Sequence, residues 1–236
     1  MRRTRALSLL SAIGVIAGVS AALAATPAWA CDTLPGHTCH GAISWTPQFN
    51  SLTGGLATLN ASRLSVPNGA NDFVNHEMWV ATNNSDGNGP NPFVEIGLKY
   101  GYHTPGTNLG LVLFWAEYNT NLSVGWHQIQ MASLNTNYAV KISYSGSNSW
   151  GVYLGGVSQG GTSNFQPCCV GHLQVGGETT TSGAQVTASG SGLQKRASDN
   201  VTWSYGWGGG PYTDGTGNPF SVTWLTNPTS MQETAN

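Results

Sequence analysis

The feature that most constrains this chain is a two-residue hydrophobic alternation, recurring between turn-rich stretches, with no helix-period segment of useful length. Successive side chains of a strand point to opposite faces, so each such run describes a strand with one face buried. In 93–102, Val94, Ile96, Leu98, Tyr100 and Tyr102 share one face, leaving Phe93, Glu95, Gly97 and Lys99 on the other. Comparable runs occupy 109–118, 126–131, 138–144, 150–154, 172–179, 201–207 and 220–225, with loops dense in Gly, Asn, Asp and Pro at 83–92 and 208–219 between them. The composition agrees: 32 Gly serve tight turns, 10% aromatics suit half-buried pleated surfaces, and 8% charged residues are too few for a coiled coil or a solvated disordered chain. The pattern predicts an all-β fold, a single-domain antiparallel β-sandwich of jelly-roll type over 71–236, with 31–70 supplying an arm or edge strands.

The first thirty residues belong to a different kind of segment. Arg2, Arg3 and Arg5 precede an apolar run over 6–25 that ends in Pro27, Ala28, Trp29 and Ala30. This is the pattern of a secretory signal peptide cut after Ala30, and it predicts a secreted, extracellular protein without membrane attachment after cleavage. A retained anchor fits less well, because the run is rich in Ala, Gly and Ser and closes on small residues. Cys31 follows the cut directly, as in a lipoprotein, but Ala28 and Trp29 fit such a signal poorly.

Removing 1–30 leaves 236 − 30 = 206 residues, with 8 − 3 = 5 Lys and Arg against 10 Asp and Glu, a formal charge of −5. Lys195 and Arg196 form the one adjacent basic pair of the mature chain, so nucleic acid is not an expected partner. Cys31, Cys39, Cys168 and Cys169 all lie in the exported part, where an oxidising compartment favours disulfides. The favoured pairing joins Cys31 to Cys39 and Cys168 to Cys169; crossed bridges stay open. His37, Cys39 and His40 lack the spacing of a structural zinc site, and the other histidines are scattered without an H-E-x-x-H. No metal and no cofactor is expected.

Glutamate is scarce in the mature chain: Glu77, Glu95, Glu117, Glu178 and Glu233. Two share a setting. Glu95 lies in Val94-Glu95-Ile96-Gly97 and Glu178 in Val175-Gly176-Gly177-Glu178, each on a strand with apolar alternate positions. Leu173 and Val175 should face the core while His172, Gln174, Gly176 and Glu178 face away. A glycine within a strand weakens it, and one reason to place it there is the close approach of a ligand or another backbone. Gly97 and Gly176 therefore suggest an extended chain lying across the sheet. The plainer alternative makes both Glu solubilising residues on a solvated face.

The stretch Phe93-Val94-Glu95-Ile96-Gly97-Leu98-Lys99-Tyr100, followed by Leu113-Phe114-Trp115-Ala116-Glu117-Tyr118, resembles the neprosin domain of secreted proteins. Val175-Gly176-Gly177-Glu178 and Ser189-Gly190-Ser191-Gly192 are similar to that family's Gly-Gly-Glu strand and Gly-Ser-Gly turn. The resemblance covers roughly 72–224. It departs at Val175, where the family usually has Trp, in the missing cysteines after the first motif, and in the absence of room for a long activation segment. Neprosin-like proteins are glutamic peptidases with a β-sandwich fold, distantly similar to fungal acid glutamic peptidases that pair a Gln with a Glu.

By that resemblance Glu95 and Glu178 would be the catalytic pair, acting on an extended polypeptide, with Trp115, Tyr118, Gln174, Gly97 and Gly176 shaping the cleft. Glu178 would deprotonate a water while a protonated Glu95 donates to the developing oxyanion, so the enzyme would work at acidic pH, as a monomer. The competing readings are a noncatalytic extracellular module binding carbohydrate or another polymer through its aromatics, and a glycosidase using the same carboxyl pair.

Overall fold

The computed structural model describes residues 39–45, 51–69, 71–81, 92–104, 106–118, 124–162, 168–214 and 218–236. The expected leader, 1–30, and Cys31, the expected partner of Cys39, lie outside them. Among the described residues there is no helix; the chain forms strands from end to end. Seven strands make one sheet. They are β1 (Cys39–Trp45), β3 (Phe73–Ala81), β4 (Phe93–Thr104), β5 (Thr107–Tyr118), β6 (Val124–Met131), β10 (His172–Thr179) and β13 (Gly210–Asp214). Their spatial order is β13-β1-β10-β3-β4-β5-β6.

The second sheet holds eight: β2 (Leu52–Ser65), β7 (Tyr138–Gly146), β8 (Ser149–Leu154), β9 (Val157–Thr162), β11 (Gln185–Ala197), β14 (Phe220–Thr226) and β15 (Ser230–Ala235) among them, in the order β14-β15-β11-β2-β7-β8-β9. The short β12 (Trp203–Tyr205) pairs with β11 at its edge and completes the set. All the pairings in both sheets are antiparallel. The molecule is a single-domain β-sandwich.

The two sheets meet through the alternate apolar positions. Val94, Ile96 and Leu98 of β4, Val74, Met78 and Val80 of β3, and Leu173 and Val175 of β10 pack into one core with Leu59, Ile142, Trp150, Val186 and Met231 of the facing sheet. Close approach is secured by glycines of the second sheet: a Cβ on Gly55 would touch Leu173 and Met78, and one on Gly190 would touch Val175. Burying these side chains supplies the main driving force, at roughly 1.5–3 kcal/mol each.

One polar connection crosses this core. His76 of β3 points inward, its Nδ1 3.0 Å from Glu233 Oε2 of β15 and its Nε2 donating to the Ser189 carbonyl at 3.0 Å. Both side chains are fully buried. Burial raises the affinity of Glu233 for its proton, and the His76 contact opposes that rise.

The segment 31–70, expected as an arm or as edge strands, contributes within its described residues two interior strands. β1 lies between β13 and β10, and β2 between β11 and β7. Both are glycine-bearing and mixed in polarity (Cys-His-Gly-Ala-Ile-Ser-Trp in β1), so neither shows a clean alternation. Cys168 and Cys169 are joined in a disulfide, and Cys39 is disulfide-bonded as well.

Candidate active site

The face of the seven-stranded sheet turned away from the core carries the residues of interest, and strand register fixes which ones meet. Three lateral rows cross it. His40 of β1, Glu178 of β10, Asn75 of β3 and Lys99 of β4 make the first. The second is Ala42, Gly176, Glu77, Gly97 and Phe114 of β5, and the third is Ser44, Gln174, Trp79, Glu95 and Ala116. Glu178, Glu77 and Glu95 thus lie on a diagonal across three adjacent strands. One carboxyl oxygen from each comes within 4.8 Å of the others.

The middle row explains how three carboxyls fit. Glu77 is flanked on both sides by glycine, so no side chain separates it from its neighbours. A Cβ on Gly97 would overlap the Cβ of Glu77, and one on Gly176 would overlap the β1 backbone at Gly41 and Ala42. Both glycines are positions of close approach, as their place within strands suggests.

Each carboxyl has a distinct setting. Glu95 is 8% exposed and accepts a hydrogen bond from Trp79 Nε1 on its Oε2 at 2.8 Å, leaving Oε1 to carry a proton. Burial first, and then the Glu178 charge, push its pKa up to about 8, against the opposing pull of Lys99 and the Trp79 bond. Glu178 is the most open of the three, with its side chain 19% exposed. Asn75 braces it: the Glu178 backbone N–H donates to Asn75 Oδ1 at 2.6 Å, and Asn75 Nδ2 donates to Glu178 Oε2 at 3.4 Å. His40 Nε2 stands 3.6 Å from Glu178 Oε1. Glu77 is fully buried, and burial together with the charges of Glu95 and Glu178 holds its carboxyl well above the usual range.

Lys99 supplies the positive charge. Its ammonium lies 3.4 Å from the Phe73 ring centroid and 5.8 Å from that of Phe114, and it interacts with all three carboxylates. Burial lowers its pKa while the carboxylates oppose that fall. The same three oxygens are the set among the described residues with ligand spacing for a cation. A hard divalent ion there would have to contend with the charge of this ammonium.

Gln174 lies on the same face and donates from Nε2 to Ser44 Oγ at 3.1 Å. Tyr118 pairs with Phe93 one pleat beyond Glu95, their rings 5.7 Å apart. Trp115 does not reach this face. It pairs with Ile96 on the core side, is 4% exposed, lies against Gly160 of β9 and stacks on His127 with centroids 3.9 Å apart. Tyr102 also departs from the alternation. A register shift at Gly101, whose φ is 110°, carries it edge-on to Phe73 at 5.5 Å.

The face therefore presents the partly open carboxyl of Glu178 beside that of Glu95, whose hold on its proton burial strengthens, with an oxygen of each within 4.8 Å of the other. The fold is similar to that of the glutamic peptidases. A scytalido-glutamic peptidase with a transition state analog inhibitor superposes with a TM-score of 0.54 at 10% identity, over 84% of this chain and 98% of that one. SCP-B, a member of the Eqolisin family of peptidases in a complex with the tripeptide Ala-Ile-His, gives 0.50 at 11% identity over the same shares. No family model and no curated protein matches the sequence. The likeness is thus one of architecture.

The residues that sequence reasoning passed over here are Glu77, Asn75, Trp79, Lys99 and His40. Three of them act through β3, which the alternation does not mark as a strand, and His40 acts through β1, which is expected only as an arm or edge strand. In β3, Phe73 to Val80 are all buried, so no polar-apolar alternation marks it, and the inward His76 breaks the apolar series. Lys99 was placed on the noncore face, beside Glu95, without a role.

Proposed function

We propose that this protein is a secreted glutamic endopeptidase, neprosin-like, that hydrolyses extended polypeptides at acidic pH by a two-carboxyl mechanism. The observation that carries the reading is the convergence of Glu95 and Glu178 on one face, with Glu95 built to keep its proton. A sandwich fold like that of the glutamic peptidases supports it, as does the leader pattern that would export the chain.

The steps follow from the geometry. Glu178, ionised and held by Asn75, takes a proton from a bound water as its oxygen attacks the scissile carbonyl carbon. The carbonyl oxygen gains the negative charge, and Glu95 Oε1–H donates to it; Trp79 fixes the carboxyl so that this proton points outward. When the C–N bond breaks, the departing amine takes a proton from the acid pair, and the cluster returns to a single negative charge. Gln174, Tyr118 and the bare positions Gly97 and Gly176 would border the bound chain.

The test is incubation of purified mature protein with a denatured protein mixture from about pH 3 to pH 8, reading cut sites by mass spectrometry. Glu178→Gln should lower activity by about 10² or more, because an amide cannot accept the water's proton. Glu95→Gln should cost less, since an amide still donates to an oxyanion. No cleavage by the parent at any pH would shift the assignment to a noncatalytic polymer-binding module, and two fully active variants would rule out the mechanism.

A further inference from the structure

Glu77 is the one member of the carboxyl diagonal with no task in a two-carboxyl mechanism. It is fully buried, and neither of its oxygens has a hydrogen-bond partner among the described residues. A buried carboxylate in that condition would be severely destabilising, whereas a carboxylic acid needs only one acceptor. Acceptors are at hand. Three oxygens mutually within 4.8 Å can all be reached from one point in or above their plane at about 2.8 Å from each, an ordinary O–H···O distance. One water at that point would touch all three groups.

We propose that Glu77 is a third carboxylic acid of the active site, protonated in the working enzyme, so that the water is held by a cluster of three carboxyls carrying two protons and one negative charge. Glu77 and Glu95 hold the protons, Glu178 the charge, and Lys99 balances it. Most of the charged and titratable groups around Glu77 favour its proton. Glu95 and Lys99 face it from β4 and Glu178 from β10, with Glu233 of β15 acting through the sheet; the three glutamates favour its proton and only Lys99 opposes. His76, its neighbour on β3, points to the opposite side, and His40 of β1 stands by Glu178. The hydrogen bond that Glu77 donates orients the water and keeps Glu178 the sole base. Its part in turnover rests on the peptidase reading; its proton does not.

Two measurements decide this. Infrared spectra of the folded protein at pH 6 should show the carbonyl stretch of protonated carboxyls, and Glu77→Gln should remove part of it while circular dichroism is unchanged. An unaltered acid band in a folded variant would overturn the proposal. In peptide cleavage, the parent's alkaline limb should reach a limiting slope of about two protons, and Glu77→Gln, which mimics the acid, should retain acid-side activity within about tenfold and fall with a slope of one. A parent slope of one would overturn the proposal even if the variant does not fold. A parent that cuts nothing defeats the peptidase reading, and the infrared bands then judge the proton at Glu77 by themselves.

Discussion

Glu95 shows how a single side chain can make a protein prefer acid. Its folded pKa of about 8 stands above its ordinary 4.5, so between those values the native state binds a proton that the unfolded chain has released. The resulting stabilisation is complete below about pH 4.5 and is lost as pH rises through 8. Glu77 and Glu233, also raised, act in the same direction. His172 and His103, both lowered by burial, oppose the trend over the lower part of the window. We expect the thermal midpoint to fall between pH 5 and pH 8 and the fall to be shallower in Glu95→Gln; equal slopes in the two proteins would contradict this origin. Glu95 and Glu178 were legible as a pair because each sits beside a glycine in an alternating strand. Glu77 was not, because its significance depends on the glycines of two other strands being opposite it, and lateral register leaves no mark in a linear sequence.

At the scale of the element, β3 carries the site between its neighbours. Its residues alternate between the diagonal and the core, with Asn75, Glu77 and Trp79 outward and Val74, His76 and Met78 inward. Such a strand tolerates little on its flanks. Gly97→Ala would put a methyl group onto the Cβ of Glu77 and near the His76 carbonyl, backbone that cannot move aside, and should cost about 1–3 kcal/mol along with most of the activity. Gly210→Ala, in β13, meets nothing within 4 Å and serves as the neutral control. Comparing urea midpoints of the two variants checks the argument; similar values would mean that the sheet yields more readily than its register suggests. The strands that alternate cleanly were readable for the same reason that β1 and β3 were not: one face of β4 or β10 is continuously apolar, whereas strands at the middle of a site have both faces occupied by function or packing.

Across the whole molecule, the pairing of His76 with Glu233 couples the two sheets through a polar contact in an otherwise apolar core. Removing one partner leaves the other buried without its complement, which costs about 3–5 kcal/mol, while replacing both by apolar residues is far milder. Glu233→Leu should therefore unfold at clearly lower denaturant than the parent, and His76→Leu with Glu233→Leu should recover much of the loss. If the double variant is no better than the single one, an unpartnered His76 is not what destabilises Glu233→Leu. The sandwich class was readable from alternation, but the partners of each strand were not, since sheet order joins segments far apart in the chain. β1 is the clearest case: His40 pairs with Glu178 on one side and Asp214 on the other. The edge of the sheet beside Glu178 closes only when both ends of the domain are present, and contacts of such long range make for slow folding. In the unfolded chain the three glutamates are thus ordinary, separately hydrated acids; the cluster comes into being only when β10, whose Glu178 lies 83 positions beyond Glu95 (178 − 95), has been laid beside β3.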